Sequence, residues 1–123
     1  MKYEPSYSGP IARASEHKIH PVAALNPFLQ NWMIKVRVTN KSDIRTWKNA
    51  KGEGSLFSCD LLDENGTEIR ATFFKDAVDK FYDVVQEGKV YIMGGGRLKA
   101  ANRRFTSIKN EYEITFDPRA TIE

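Results

Sequence analysis

The sequence predicts an all-β domain with a small α content: a closed Greek-key barrel of five short strands, with one short helix between the third and the fourth. Three observations lead there. Apolar and polar residues alternate with a period of two in several short runs between residues 32 and 116. A single stretch in the middle switches to helical spacing. Glycines and an Asn-Gly pair punctuate the runs, where turns are required. The chain has 123 residues, which is the size of one domain with its own core.

The first strand is expected over 32–39, where Ile34, Val36 and Val38 alternate with Lys35, Arg37 and Thr39. Residues 40–54 carry no apolar period and read as a long polar loop, a length more often functional than idle. A second strand follows over 55–63. Asp63-Glu64-Asn65-Gly66 reads as a hairpin turn. The returning strand, 68–75, sets Ile69, Ala71 and Phe73 on one face and Arg70, Thr72 and Phe74 on the other. Val78, Phe81, Tyr82 and Val85 recur at helical spacing, so a helix is expected over 76–85, capped by Asp76 and ended by Gly88. A strand over 89–98 passes through Gly94-Gly95-Gly96, which predicts a bend, a bulge or a close approach of other chain. A turn over 100–103, a strand over 105–109 and another over 112–116 complete the domain. Five or six short antiparallel strands with one helix after the third describe the OB-fold, a small Greek-key barrel. Residues 1–18 show no period and read as a flexible linker or arm, leaving 19–123 as the ordered domain.

Composition excludes several classes. Hydrophobic residues make up 41% and charged residues 28%, as in an ordinary globular protein. No apolar run is long enough to span a membrane, and residues 1–8 lack the apolar core of a signal peptide. The single cysteine, Cys59, rules out an internal disulfide framework and a cysteine-based zinc cluster, which suits a reducing compartment.

The net charge of +3 is small, but its placement is uneven. Between Lys35 and Lys51 six basic residues face one acid, Asp43, and between Arg97 and Lys109 there are five basic residues and no acid. In an OB barrel these segments flank the face of the second and third strands, where oligonucleotides bind. Two positive walls around one groove can track a phosphate backbone, although either run alone is compatible with a merely solvated face. Phe74 lies on the polar face of its strand, with Arg70 and Thr72, and Phe105 follows Arg103-Arg104. Each ring could stack on a base, or pack in the core as most Phe residues do. Trp47, beside Arg45 and Lys48, could stack on a base or anchor its own loop. Arg45, Lys51, Arg70 and Lys99 are the charges expected nearest the groove. Glu113 could accept a hydrogen bond from a base or pair with a neighbouring cation.

Catalytic patterns are weak. His17 and His20 stand without a patterned carboxylate or thiol, Cys59 has apolar neighbours, and Gly94-Gly95-Gly96 lacks the ending of a phosphate loop. Asp60 and Asp63, the nearest candidates for a metal-dependent nuclease, fall on opposite strand faces.

The run V-T-N-K-S-D-I-R-T-W-K-N-A-K-G-E-G-S-L-F-S (38–58) resembles the first DNA-binding domain, domain A, of replication protein A large subunits. The resemblance continues through L-L-D-E-N-G-T-E-I-R-A-T-F-F-K (61–75), D-K-F-Y (79–82), G-K-V-Y (88–91) and F-T-S-I-K-N-E-Y-E (105–113). It implies an OB-fold that binds single-stranded DNA without catalysis, with no metal or cofactor. Phe74 and Phe105 would be the stacking residues. Arg45, Lys48, Asn49, Lys51, Arg70, Lys75, Lys99 and Glu113 would contact phosphates or bases, and the basic, aromatic segments themselves add Trp47 and Arg103. Implied partners are single-stranded DNA, a neighbouring OB domain, the other subunits, and proteins of DNA replication, repair and recombination, in the nucleus. This chain departs from the pattern at Lys51 (more usually Arg), Ser55 (Lys), Lys75 (Asn), the added Thr67 and the Gly94-Gly95-Gly96 run. Two other binding functions remain open to an OB module: recognition of acidic peptides in the basic groove, and RNA binding, since no residue visibly excludes a 2′-hydroxyl.

Overall fold

The structure is a computed structural model that describes residues 18–102 and 108–123. The expected alternation forms β1, Met33–Lys41, in which Ile34, Val36 and Val38 are buried and Lys35, Arg37 and Thr39 are exposed. β2, Arg45–Asn49, turns back on β3, Gly52–Asp63, which continues antiparallel along β1. β4, Glu68–Phe74, pairs with β3 in the register Phe57↔Phe73, Cys59↔Ala71 and Leu61↔Ile69, all buried. The connection is tied by Asp63, whose Oδ1 accepts from the backbone N–H of Asn65 (3.0 Å) and Thr67 (2.9 Å). Gly66, at φ +86°, supplies the left-handed residue of this turn. The other Asp63 oxygen accepts from the Val22 N–H at 2.8 Å, pinning a short 3-10 turn, Val22–Ala24, against the barrel.

α1, Asp76–Phe81, buries Ala77, Val78 and Phe81 across one end of the barrel. β5, Val90–Gly94, pairs with β1; β6, Arg97–Ala100, pairs with β7, Tyr112–Phe116; and β8, Thr121–Ile122, edges β5. The sheet order is β6-β7-β4-β3-β1-β5-β8, with β2 on β3. The chain runs directly from β5, near one end of this path, to β6 at the other. The bend at Gly95-Gly96 therefore curls the two ends of this path toward each other, giving a half-barrel. Gly95 takes φ +79°, and a Cβ on Gly96 would lie 2.6 Å from Ile114 Cγ2 and 2.7 Å from Phe116 Cε1. Inside, Phe73 stacks on Phe57 (4.5 Å between ring centroids) and on Phe116 (5.0 Å), and Tyr82 meets Phe57 edge-on. Burying each such ring stabilises the fold by about 1.5–3 kcal/mol.

The OB architecture matches the expectation, and several details differ. Residues 40–54 are not one long loop, because 45–54 form the β2–β3 ribbon. That ribbon projects beyond the core, so neither face of β2 is buried and no apolar period marks it. The helix ends at Phe81, short of Val85, and Lys75 rather than Asp76 is its N-cap. Gly88 (φ +88°) ends the following turn, where its N–H donates to Val38 O. The strand expected over 89–98 is two, β5 and β6. β4 and β7 pair parallel, so the sheet is not wholly antiparallel. Of the strand expected over 105–109, Ile108 and Lys109 are not in a strand, and 105–107 lie outside the described residues, as does the expected arm up to residue 17.

Candidate nucleic-acid interface

Opposed residues in a sheet point to the same side, so register alone arranges the outer face of β3, β4, β7 and β6 into rows. The buried set on β3 is Phe57, Cys59 and Leu61, so Leu56, Ser58 and Asp60 point outward. Opposite them on β4 stand Phe74, Thr72 and Arg70. Thr72 lies level with Thr115 of β7, and Thr115 with Arg97 of β6. Two residues earlier on each parallel strand, Arg70 lies level with Glu113, which faces Lys99.

The first row is ionic. Arg70 Nε donates to Asp60 Oδ1 at 3.1 Å, and Lys99 Nζ lies 3.2 Å from Glu113 Oε1. Asn40 Nδ2 donates to Asp60 Oδ2 at 3.4 Å. The second row is neutral up to Arg97: Ser58 Oγ and Thr72 Oγ1 share a hydrogen bond at 3.3 Å, with Thr115 beyond. The third row is Arg45, Leu56 and Phe74, with the Phe74 ring half-buried. Trp47 continues this side of the ribbon opposite Gly54. A Cβ on Gly54 would lie 2.7 Å from Trp47 Cζ2, so glycine is what lets the indole lie across the ribbon. Lys75 closes the corner with its Nζ 5.7 Å from the Trp47 ring. Its backbone sits at φ +54°, ψ −115°, a conformation that favours glycine.

The structure thus gathers Arg45, Trp47, Arg70, Phe74, Lys75, Lys99 and Glu113 along one face and its rim. Asn49 shares the Arg45 side of the ribbon; its Oδ1 accepts from the Lys51 N–H at 2.8 Å, which fixes the tip and holds Lys51 there, exposed. Lys48 alternates to the opposite side, level with Glu53. Arg103 and Phe105 lie outside the described residues. Sequence reasoning placed Thr72 on this face with Arg70 and Phe74 but did not assign Leu56, Ser58, Asp60, Thr115 or Arg97 to it. Asp60 was within reach, since it follows from counting back across the Asn65-Gly66 turn.

Little here suits hydrolysis. Asp60 points out and Asp63 points in, and no group of three potential metal ligands occurs among the described residues. Burial pushes the Cys59 thiol up to about 12, which removes its nucleophilic character at neutral pH.

Residues 23–123 match the family model described as domain of unknown function DUF223. The replication protein A 70 kDa DNA-binding subunit of Xenopus laevis is 48% identical over 108 residues, covering 88% of this chain and 18% of that protein. Among solved structures, a chain of a replication protein A heterotrimer bound to single-stranded DNA is 50% identical, with a TM-score of 0.81, over 85% of this chain and 24% of that one. DNA-binding domain A of Saccharomyces cerevisiae replication protein A is 41% identical, with a TM-score of 0.72, over 85% of this chain and 91% of that domain. The chain spans about a fifth of the length of the curated large subunits it matches. It belongs to the DUF223 family and to the DNA-binding domain A group of replication protein A large subunits.

Proposed function

We propose that residues 19–123 form a non-catalytic OB module that binds single-stranded DNA with little sequence preference, as part of a replication protein A large subunit, with residues 1–18 as an arm. The observation that carries this is Phe74: a half-buried aromatic ring on a largely polar sheet face, set between Arg45 and Leu56 on one side and hydrophilic rows on the other. A ring so placed offers a surface to any base, and duplex DNA keeps its base faces stacked away. Arg45, Lys51 and Lys75 at one end, with Lys99 and Arg103 at the other, would follow the phosphates. Phe105 would supply a second stacking surface, while Asn49 would shape the loop tip and Trp47 and Lys48 would line its two sides. The DNA-bound heterotrimer among the related structures supports the same ligand and the other subunits as partners. Replication, repair and recombination in the nucleus follow as the setting.

Substituting Phe74→Ala together with Phe105→Ala tests the stacking roles. Loss of two base–aromatic contacts should weaken oligo-dT binding by roughly 2–6 kcal/mol at unchanged fold. Unaltered affinity in a folded double variant would refute them.

A further inference from the structure

Across the middle of the face the charges alternate in sign: Asp60, Arg70, Glu113, Lys99. Arg70, at the centre of the proposed groove, and Lys99, at its rim, therefore each face a carboxylate, at 3.1 Å and 3.2 Å, and the four charges sum to zero. The carboxylates are the more enclosed partners, with side chains 17% exposed for Asp60 and 11% for Glu113, against 28% for Arg70 and 53% for Lys99. A phosphate that draws Arg70 away leaves Asp60 a largely covered carboxylate without its ion-pair partner, next to a second anion, and a phosphate that leaves the pair intact meets both anions. That penalty offsets much of the new ion pair. A base lying flat across the row disturbs neither pair.

We propose that Asp60 is a specificity-determining residue, which makes the centre of the face a poor phosphate site and so turns away polyanions that offer no open base faces. This rests on the single-strand reading above. Phosphates would then be held at the rims, by the β2–β3 ribbon and the β6–β7 hairpin, with bases lying over the ionic row and Phe74. The same row would reject duplex DNA, whose exterior presents phosphate first.

The test compares the wild-type domain with Asp60→Asn on three probes at low salt: oligo-dT, an abasic deoxyribose-phosphate strand of equal length, and a duplex of equal length. Removing one negative charge at contact range should raise affinity for the abasic strand and the duplex about three- to tenfold. Oligo-dT affinity should change by less than about twofold, because its bases lie over the row without breaking either ion pair while its phosphates stay at the rims. Selectivity for oligo-dT therefore falls. Equal gains on all three probes, or equal losses, would overturn the proposal. Asp60→Ser, smaller and still able to accept from Asn40, should behave the same way and guards against a folding defect in either variant. Should the wild-type domain show no preference for oligo-dT over the abasic strand and the duplex, the single-strand reading itself fails, and the Asp60 role with it.

Discussion

Replacing Gly96 by alanine tests how the sheet curls. A Cβ there would lie 2.6 Å from Ile114 Cγ2, 2.7 Å from Phe116 Cε1 and 2.9 Å from Phe116 Cδ1. Both neighbours are fully buried, and Phe116 is already stacked on Phe73 at 5.0 Å, so neither side chain has open space to enter. Overpacking of one methyl into a filled core costs about 1–3 kcal/mol. With three sub-3 Å approaches, the upper part of that range is expected, roughly 2–3 kcal/mol. Gly88→Ala is the matched control: its φ is +88° with nothing within 4 Å, so it carries only the left-handed backbone cost, about 1 kcal/mol. Urea unfolding followed by tryptophan fluorescence gives both values from the shift in midpoint at constant slope. Gly96→Ala should also melt roughly 6–15 °C lower, taking about 3–5 °C per kcal/mol for a domain of this size. A Gly96→Ala protein as stable as wild type, or more stable than Gly88→Ala, would refute curling by backbone approach at this bend.

Three other outcomes follow from particular contacts. Asp63→Ala strips hydrogen-bond acceptors from the N–H groups of Val22, Asn65 and Thr67, and should cost about 2–4 kcal/mol in urea unfolding, with Asn partly rescuing. Lys75→Gly relieves a strained backbone at φ +54°, offset by the extra chain entropy of glycine, for a net gain of about 1 kcal/mol; oligo-dT binding should weaken as a rim cation is lost. Cys59 stays protonated in the folded state, with its pKa pushed up to about 12 from 9.0. Its contribution is thus complete below pH 9 and is lost as pH rises toward 12, at up to about 1.4 kcal/mol per pH unit. Cys59→Ala should flatten stability against pH above 9 by that slope, and an unchanged slope would contradict the burial.

How much of this was legible beforehand depends on whether a local pattern carried it. Ile34, Val36 and Val38, or Ile69, Ala71 and Phe73, announce their strands because one face of each is buried. β2 announces nothing, since Arg45 and Thr46 are both exposed and only Trp47 is partly covered. Its strand exists because β3 extends past the core and offers it backbone partners. β8 is two residues long, too short for any period. The helix pattern overran its end because Val85 is buried from a turn rather than a helix. At the site, alternation alone put Arg70 beside Phe74. The Lys99–Glu113 pair could not be read that way, because the residues lie on separate strands and meet only through register. Lys48 illustrates the reverse: adjacent to Trp47 in sequence, it falls on the other side of the ribbon once β2 is known to be a strand.

The most direct test of the single-strand groove is a titration of labelled oligo-dT against this domain over a series of salt concentrations, with a duplex of equal length alongside. The structure predicts preference for the single strand, and a log–log salt slope of about −0.7 for each phosphate held by the rim cations. Equal affinity for both forms, or no binding of oligo-dT even at low salt, would contradict it.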